Sequence, residues 1–119
     1  MKGKLLIVGT LDTKGPDFQF VRDIMLEAGA ETLTIDIGVI GEPGFAPDIS
    51  RADVASAGGA NIADFSSGEH KDTAMQVMSN GLVEVVRKLH SEGQVAGIFS
   101  MGGSGGTAVA TAAMRALPL

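Results

Sequence analysis

The chain has 119 residues, 45% hydrophobic and 19% charged, with a formal net charge of −5, which suits one globular domain with its own core and leaves no room for two. It contains no cysteine, so disulfides, thiolate metal sites and cysteine nucleophiles are excluded. The nine basic residues are scattered and aromatics make up 4%, so neither an electrostatic footprint for DNA or RNA nor a set of base-stacking platforms is visible.

The chain opens "MKGKLLIVGTLDTKG", an apolar run far too short for a signal-peptide core or a membrane span; a cytoplasmic protein with no membrane partner is expected. "KLLIVG" (Lys4 to Gly9) predicts a strand buried on both faces, followed by a loop, "TLDTKGPD". From Asp17 onward Phe18, Val21, Ile24, Met25 and Ala28 recur at helical spacing, with Pro16 suited to the helix start and Gly29 to its C-terminal cap. "ETLTIDIG" predicts a second strand with Leu33, Ile35 and Ile37 on one face and Thr34 and Asp36 on the other. "GVIGEPGFAPDIS" reads as a long ordered loop, a lid or a contact segment, after which Ser50 and Asp53 resemble a capping pair for the short helix "RADVASAG".

A longer helix is expected from Asp72 or Thr73, with Ala74, Met75, Val77, Met78, Leu82, Val85, Val86 and Leu89 as its apolar stripe and Gly93 closing it. "VAGIFSM" predicts the third strand, and the glycine loop "GGSGG" then leads into the small-residue helix "TAVATAAM". Strand and helix alternate, so the economical fold is α/β: a three-layer, Rossmann-like domain on a parallel sheet, about three strands of it present.

In an open parallel sheet the strand-to-helix loops emerge at one edge, where ligands bind. "TLDTKG", "DIG" and "MGGSGG" converge there with peptide N–H groups, two carboxylates, one ammonium and several hydroxyls. That inventory suits a phosphate ester with or without a divalent cation. Bare glycines ahead of a helix start let an anion reach the backbone N–H groups, although tight packing of a helix on a sheet uses glycine in the same way. Gly103, Gly105 and Ala108 satisfy G-x-G-x-x-A spacing after the third strand, and no G-x-x-x-x-G-K-[ST] motif occurs.

"VGTLDTKG", "DIGVIGEPGFAPDISRADVA" and "GIFSMGGSGGTAVATAAMRALP", in this order, resemble the N-terminal ATP-binding domain of an uncharacterised family of bacteria, archaea, fungi and plants that includes the tomato mosaic virus resistance protein, an inhibitor of viral RNA replication. The resemblance covers essentially the whole chain. It implies ATP with magnesium held at Thr10 to Lys14 (Thr10, Asp12, Thr13 and Lys14) and at Gly102 to Thr107 (Gly102, Gly103, Ser104, Gly105, Gly106 and Thr107). Family members are considerably longer, with further strands in this domain and a C-terminal domain, so residues 1–119 read as a partial nucleotide-binding domain.

Lys14 is the candidate for neutralising a phosphate, or else a solvent-exposed loop lysine. Asp12 is the candidate magnesium ligand, directly or through water, or else an Asx-turn or cap residue. Asp36 ends a strand at the ligand edge and is a candidate acceptor from a ribose, or a loop cap. Ser104 and Thr107 are expected to donate to phosphate oxygens; Ser104 lacks G-x-S-x-G spacing for a nucleophile, and His70 and His90 have no visible tie to it. Met75 and Met78 read as core. A nucleotide-binding module, regulatory or partner-binding, therefore leads over part of an enzyme for a phosphorylated or carboxylated metabolite, and over a purely structural interaction domain. An unpaired strand edge such as "LLIV" or "GIF" is expected to give a homo-oligomer, unless the segment from Gly38 to Gly68 folds over it.

Overall fold

A strand with no polar alternation is stable only where both faces are covered. The computed structural model describes residues 3–39, 41–65, 71–101 and 104–117, with the backbone course alone at 64, 65, 71, 72 and 104–108, and its central strand β1 (Lys4–Gly9) has Leu6, Ile7 and Val8 completely buried. β1 pairs in parallel with β2 (Thr32–Asp36) on one side and with β3 (Val95–Ser100) on the other, giving the order β2-β1-β3. Leu6 stands opposite Leu33 and Ile98, and Ile7 opposite Thr34 and Phe99. "LLIV" is therefore the middle of the sheet and no edge at all, whereas "GIF" does lie on an outer strand.

The alternation sorts the helices between two faces. α1 (Leu11–Glu27) packs on the Ile7 face, where Phe18 and Leu11 are fully buried with Ile7. α2 (Arg51–Ala57), α3 (Lys71–Ser91) and α4 (Ser104–Ala116) cover the Leu6 and Val8 face through Val54, Met78, Leu82, Val86, Val109 and Ala113. The result is an α/β, Rossmann-like sandwich of three layers, consistent with the pattern in the sequence. Burying a side chain such as Phe18 or Leu82 contributes about 1.5–3 kcal/mol.

Three sequence expectations need correction. Helix starts well before Asp17: Leu11 opens α1, and the chain kinks at Lys14 (φ −123°, ψ 21°), so that Pro16 sits just inside the second, regular segment, where its missing N–H costs nothing. Ile24 and Ala28 of the predicted stripe are exposed, whereas Phe18 and Met25 pack with Leu11 against Ile7. On α3, which begins at Lys71, Met78 is core but Met75 is exposed. The expected helix ends are observed: Gly29 and Gly93 adopt positive φ, and the N–H groups of Ala30 and Gln94 reach back to the carbonyls of Met25 and Leu89. Ser50 caps α2 by accepting the Asp53 N–H at 3.2 Å.

From Gly41 the chain runs on to Ser50, and at Asp48 and Ile49 it lies beside the outer edge of β2. Asp48 accepts the Thr34 N–H on its carboxylate at 2.7 Å, the N–H groups of Asp48 and Ile49 both reach the Thr34 carbonyl, and the Ile49 carbonyl accepts the Asp36 N–H. That edge is thus closed along half its length. Among the described residues no strand pairs with the outer side of β3.

Candidate functional site

Adjacent strands β1 and β3 send their helices to opposite faces: α1 leaves β1 toward the Ile7 side and α4 leaves β3 toward the Leu6 and Val8 side. The chain divides at that point, and it is beyond the carboxyl ends of two strands that part in this way that doubly wound sheets have their ligand crevice. On one side stands the turn from Thr10 to Lys14; on the other stand Met101 and the start of α4 at Ser104. The two loops singled out in the sequence are therefore brought together by topology. Gly102 and Gly103 lie outside the described residues. Ser104, Gly105, Gly106 and Thr107 form the first turn of α4, which turns free N–H groups toward the strand end.

The Thr10 turn is built by local hydrogen bonds. Thr10 stays extended and accepts the N–H groups of Thr13 and Lys14 on its carbonyl at 3.3 and 2.9 Å, while its hydroxyl meets that of Thr13 at 2.8 Å. This single turn leaves Thr13 and Lys14 exposed. Among the described residues Lys14 makes no ion pair, so its ammonium is available to an anion. At the end of β3 the Ser100 hydroxyl is buried without a hydrogen-bond partner among the described residues.

The acidic residues stand elsewhere, on the β2 side of β1. Asp36 is 1% exposed; its Oδ1 accepts the N–H groups of Gly38 at 2.9 Å and Leu11 at 3.3 Å, and its Oδ2 accepts Nε of Arg51 at 2.8 Å. Asp12 accepts the Thr13 N–H on Oδ1 at 2.8 Å and the Gly41 N–H on Oδ2 at 3.1 Å, with Nη2 of Arg51 3.6 Å from the same Oδ2. Nη1 of Arg51 donates to the Gly41 carbonyl. Both carboxylates are thus engaged by Arg51 and by backbone N–H groups. Among the described residues no group of three histidine or acidic side chains is placed to hold a metal.

Arg51 is the residue that sequence reasoning missed. One signal did point to it: it occupies the first position of α2, right after the Ser50 cap, where a cation opposes the helix dipole, so a partner from elsewhere must hold it there. His90 is exposed near the end of α3, which feeds the amino end of β3, the sheet edge opposite the crevice; His70 lies outside the described residues. No helix among the described residues is long and apolar enough to cross a membrane.

Comparison with known proteins gives this arrangement a family. The UPF0261 protein of Clostridium tetani is 46% identical over 117 residues, covering 98% of this chain and 29% of the relative. Those of Brucella suis and Rhizobium meliloti are each 35% identical over 116 residues, 98% of this chain and 28% of theirs. The chain thus spans less than a third of the length of these relatives. The profile described as "Uncharacterised protein family (UPF0261) N-terminal domain" matches residues 3–119, and the chain belongs to that family as its N-terminal domain.

Proposed function

We propose that the domain binds a nucleotide, ATP in the first instance, with its phosphates in the crevice between β1 and β3, and that it serves as a regulatory or partner-binding module. The observation that carries this reading is the divergence of α1 and α4 from neighbouring strands, with an exposed lysine that makes no ion pair among the described residues after β1 and a glycine-rich helix start after β3. Lys14 supplies the charge. The backbone N–H groups of 102–107, with the hydroxyls of Ser104 and Thr107, supply the donors. Thr10 and Thr13 flank the phosphates, and magnesium arrives on the phosphate oxygens, since the Asp12 carboxylate already serves Arg51 and two N–H groups. No histidine stands at the crevice among the described residues, which favours binding over catalysis. The unpaired outer edge of β3 leaves self-association as a separate proposal, read directly by light scattering over a range of protein concentrations.

Calorimetric titration with ATP and with adenosine, each with and without magnesium, tests the site. Gly103→Val and Gly105→Val are expected to abolish ATP binding by blocking approach to the backbone. Folded variants that bind ATP as the parent does would refute the phosphate loop.

A further inference from the structure

The two acids that the sequence offers to magnesium and ribose are both held by one guanidinium, and the consequence reaches the crevice. We propose that Arg51 is the positioning residue of the site, and that Asp12 and Asp36 act as its anchors, not as ligands of metal or ribose; the proposal rests on the phosphate reading above for the word "site". Asp36 is closed to any ligand by burial, with three donors already on its two oxygens. At Asp12, Oδ2 already accepts the Gly41 N–H, and a dication on that oxygen would settle beside a guanidinium nitrogen 3.6 Å from it, a like-charge contact.

What the cluster does is geometric. Through Nε, Nη1 and Nη2, Arg51 faces the end of β2, the Gly41 carbonyl and the first turn of α1 at once. It thereby ties Gly38 and Gly41 to the Thr10–Lys14 turn, the turn that carries the exposed Lys14. The approach is tight enough that a Cβ on Gly38 would lie 2.8 Å from both Nη2 of Arg51 and Cγ of Asp12. Farther along, the Gly44 N–H donates to the Leu11 carbonyl at 2.9 Å, and Arg22 lies 4.6 Å above the Phe45 ring, so the segment is seated along α1 once Arg51 has fixed its start.

The test pairs limited proteolysis of the unliganded protein with ATP titrations in the presence and absence of magnesium, on the parent, Arg51→Lys and Asp12→Asn. Lysine keeps the charge but has no fork to reach three groups together. Both variants are expected to raise cleavage between 41 and 48 at least about tenfold. Both should also weaken ATP binding by the same factor with and without magnesium. Loss of the magnesium effect in Asp12→Asn, with magnesium-free binding and cleavage as in the parent, would overturn the proposal and make Asp12 the metal ligand. Parental cleavage in Arg51→Lys would overturn it as well. If the parent itself binds no ATP, the nucleotide reading fails, and cleavage of the unliganded variants still decides whether Arg51 sets the turn.

Discussion

The two halves of the rim at the carboxyl end of the sheet use their polar groups in opposite ways. Between β1 and β2, two carboxylates and a guanidinium, largely removed from water, are turned on one another and on the N–H groups of Leu11, Thr13, Gly38 and Gly41, and of the guanidinium nitrogens only Nη2, 3.6 Å from Asp12, makes no hydrogen bond among the described residues. Between β1 and β3, the Thr13 and Lys14 side chains are exposed, and the Ser100 hydroxyl is left without a partner among the described residues. Charged residues at a strand end are thus no guide to a ligand by themselves. A binding rim is recognised by groups left unpaired, and the paired half serves as the scaffold that aims them.

Breaking the scaffold half is expected to cost most. Arg51→Ala leaves the Asp36 carboxylate buried without its cation and should lower stability by about 3–5 kcal/mol, read from urea unfolding. Lys14→Ala touches the open half: the fold should be as stable as the parent's, while ATP binding weakens by about 1.5–3 kcal/mol and adenosine binding stays unchanged. Equal losses for both ligands in calorimetry would move Lys14 to the scaffold. Gly38→Ala presses a methyl against the Arg51–Asp12 contact and should cost about 1 kcal/mol, the low end for overpacking, because the guanidinium end can give way. Ser100→Ala removes a hydroxyl with no partner among the described residues and should change stability by less than about 0.5 kcal/mol.

The three strands and their parallel pairing were legible in the sequence because apolar runs, glycine stops and alternation are local signals, whereas the order was not: "LLIV" reads as an edge and is the middle of the sheet. Less legible was the start of α1. "TLDTKG" reads as loop by its residues, yet Leu11 is fully buried beside Ile7 and its N–H is taken by Asp36, 25 positions away, and that long-range partner turns the segment into a helical turn. Asp36 looks like a ligand residue on alternation alone, since nothing in "TIDIG" announces that Arg51 will lie against it. The 38–50 segment is likewise unreadable as an edge cover until Asp48 and Ile49 are seen bonded to Thr34. In each case a tertiary partner decides the role of a residue whose neighbours in sequence are silent.

The central claim is that phosphate enters between β1 and β3 and not at the acidic cluster beside β2. Amide-resolved NMR of the labelled protein during titration with ATP tests it most directly. The account predicts that the largest shifts fall on Thr10 to Lys14 and on residues 101 to 107, with Asp36 and Gly38 moving little. Shifts centred on Asp36, Gly38 and Arg51, or a spectrum unchanged at saturating ATP, would contradict it.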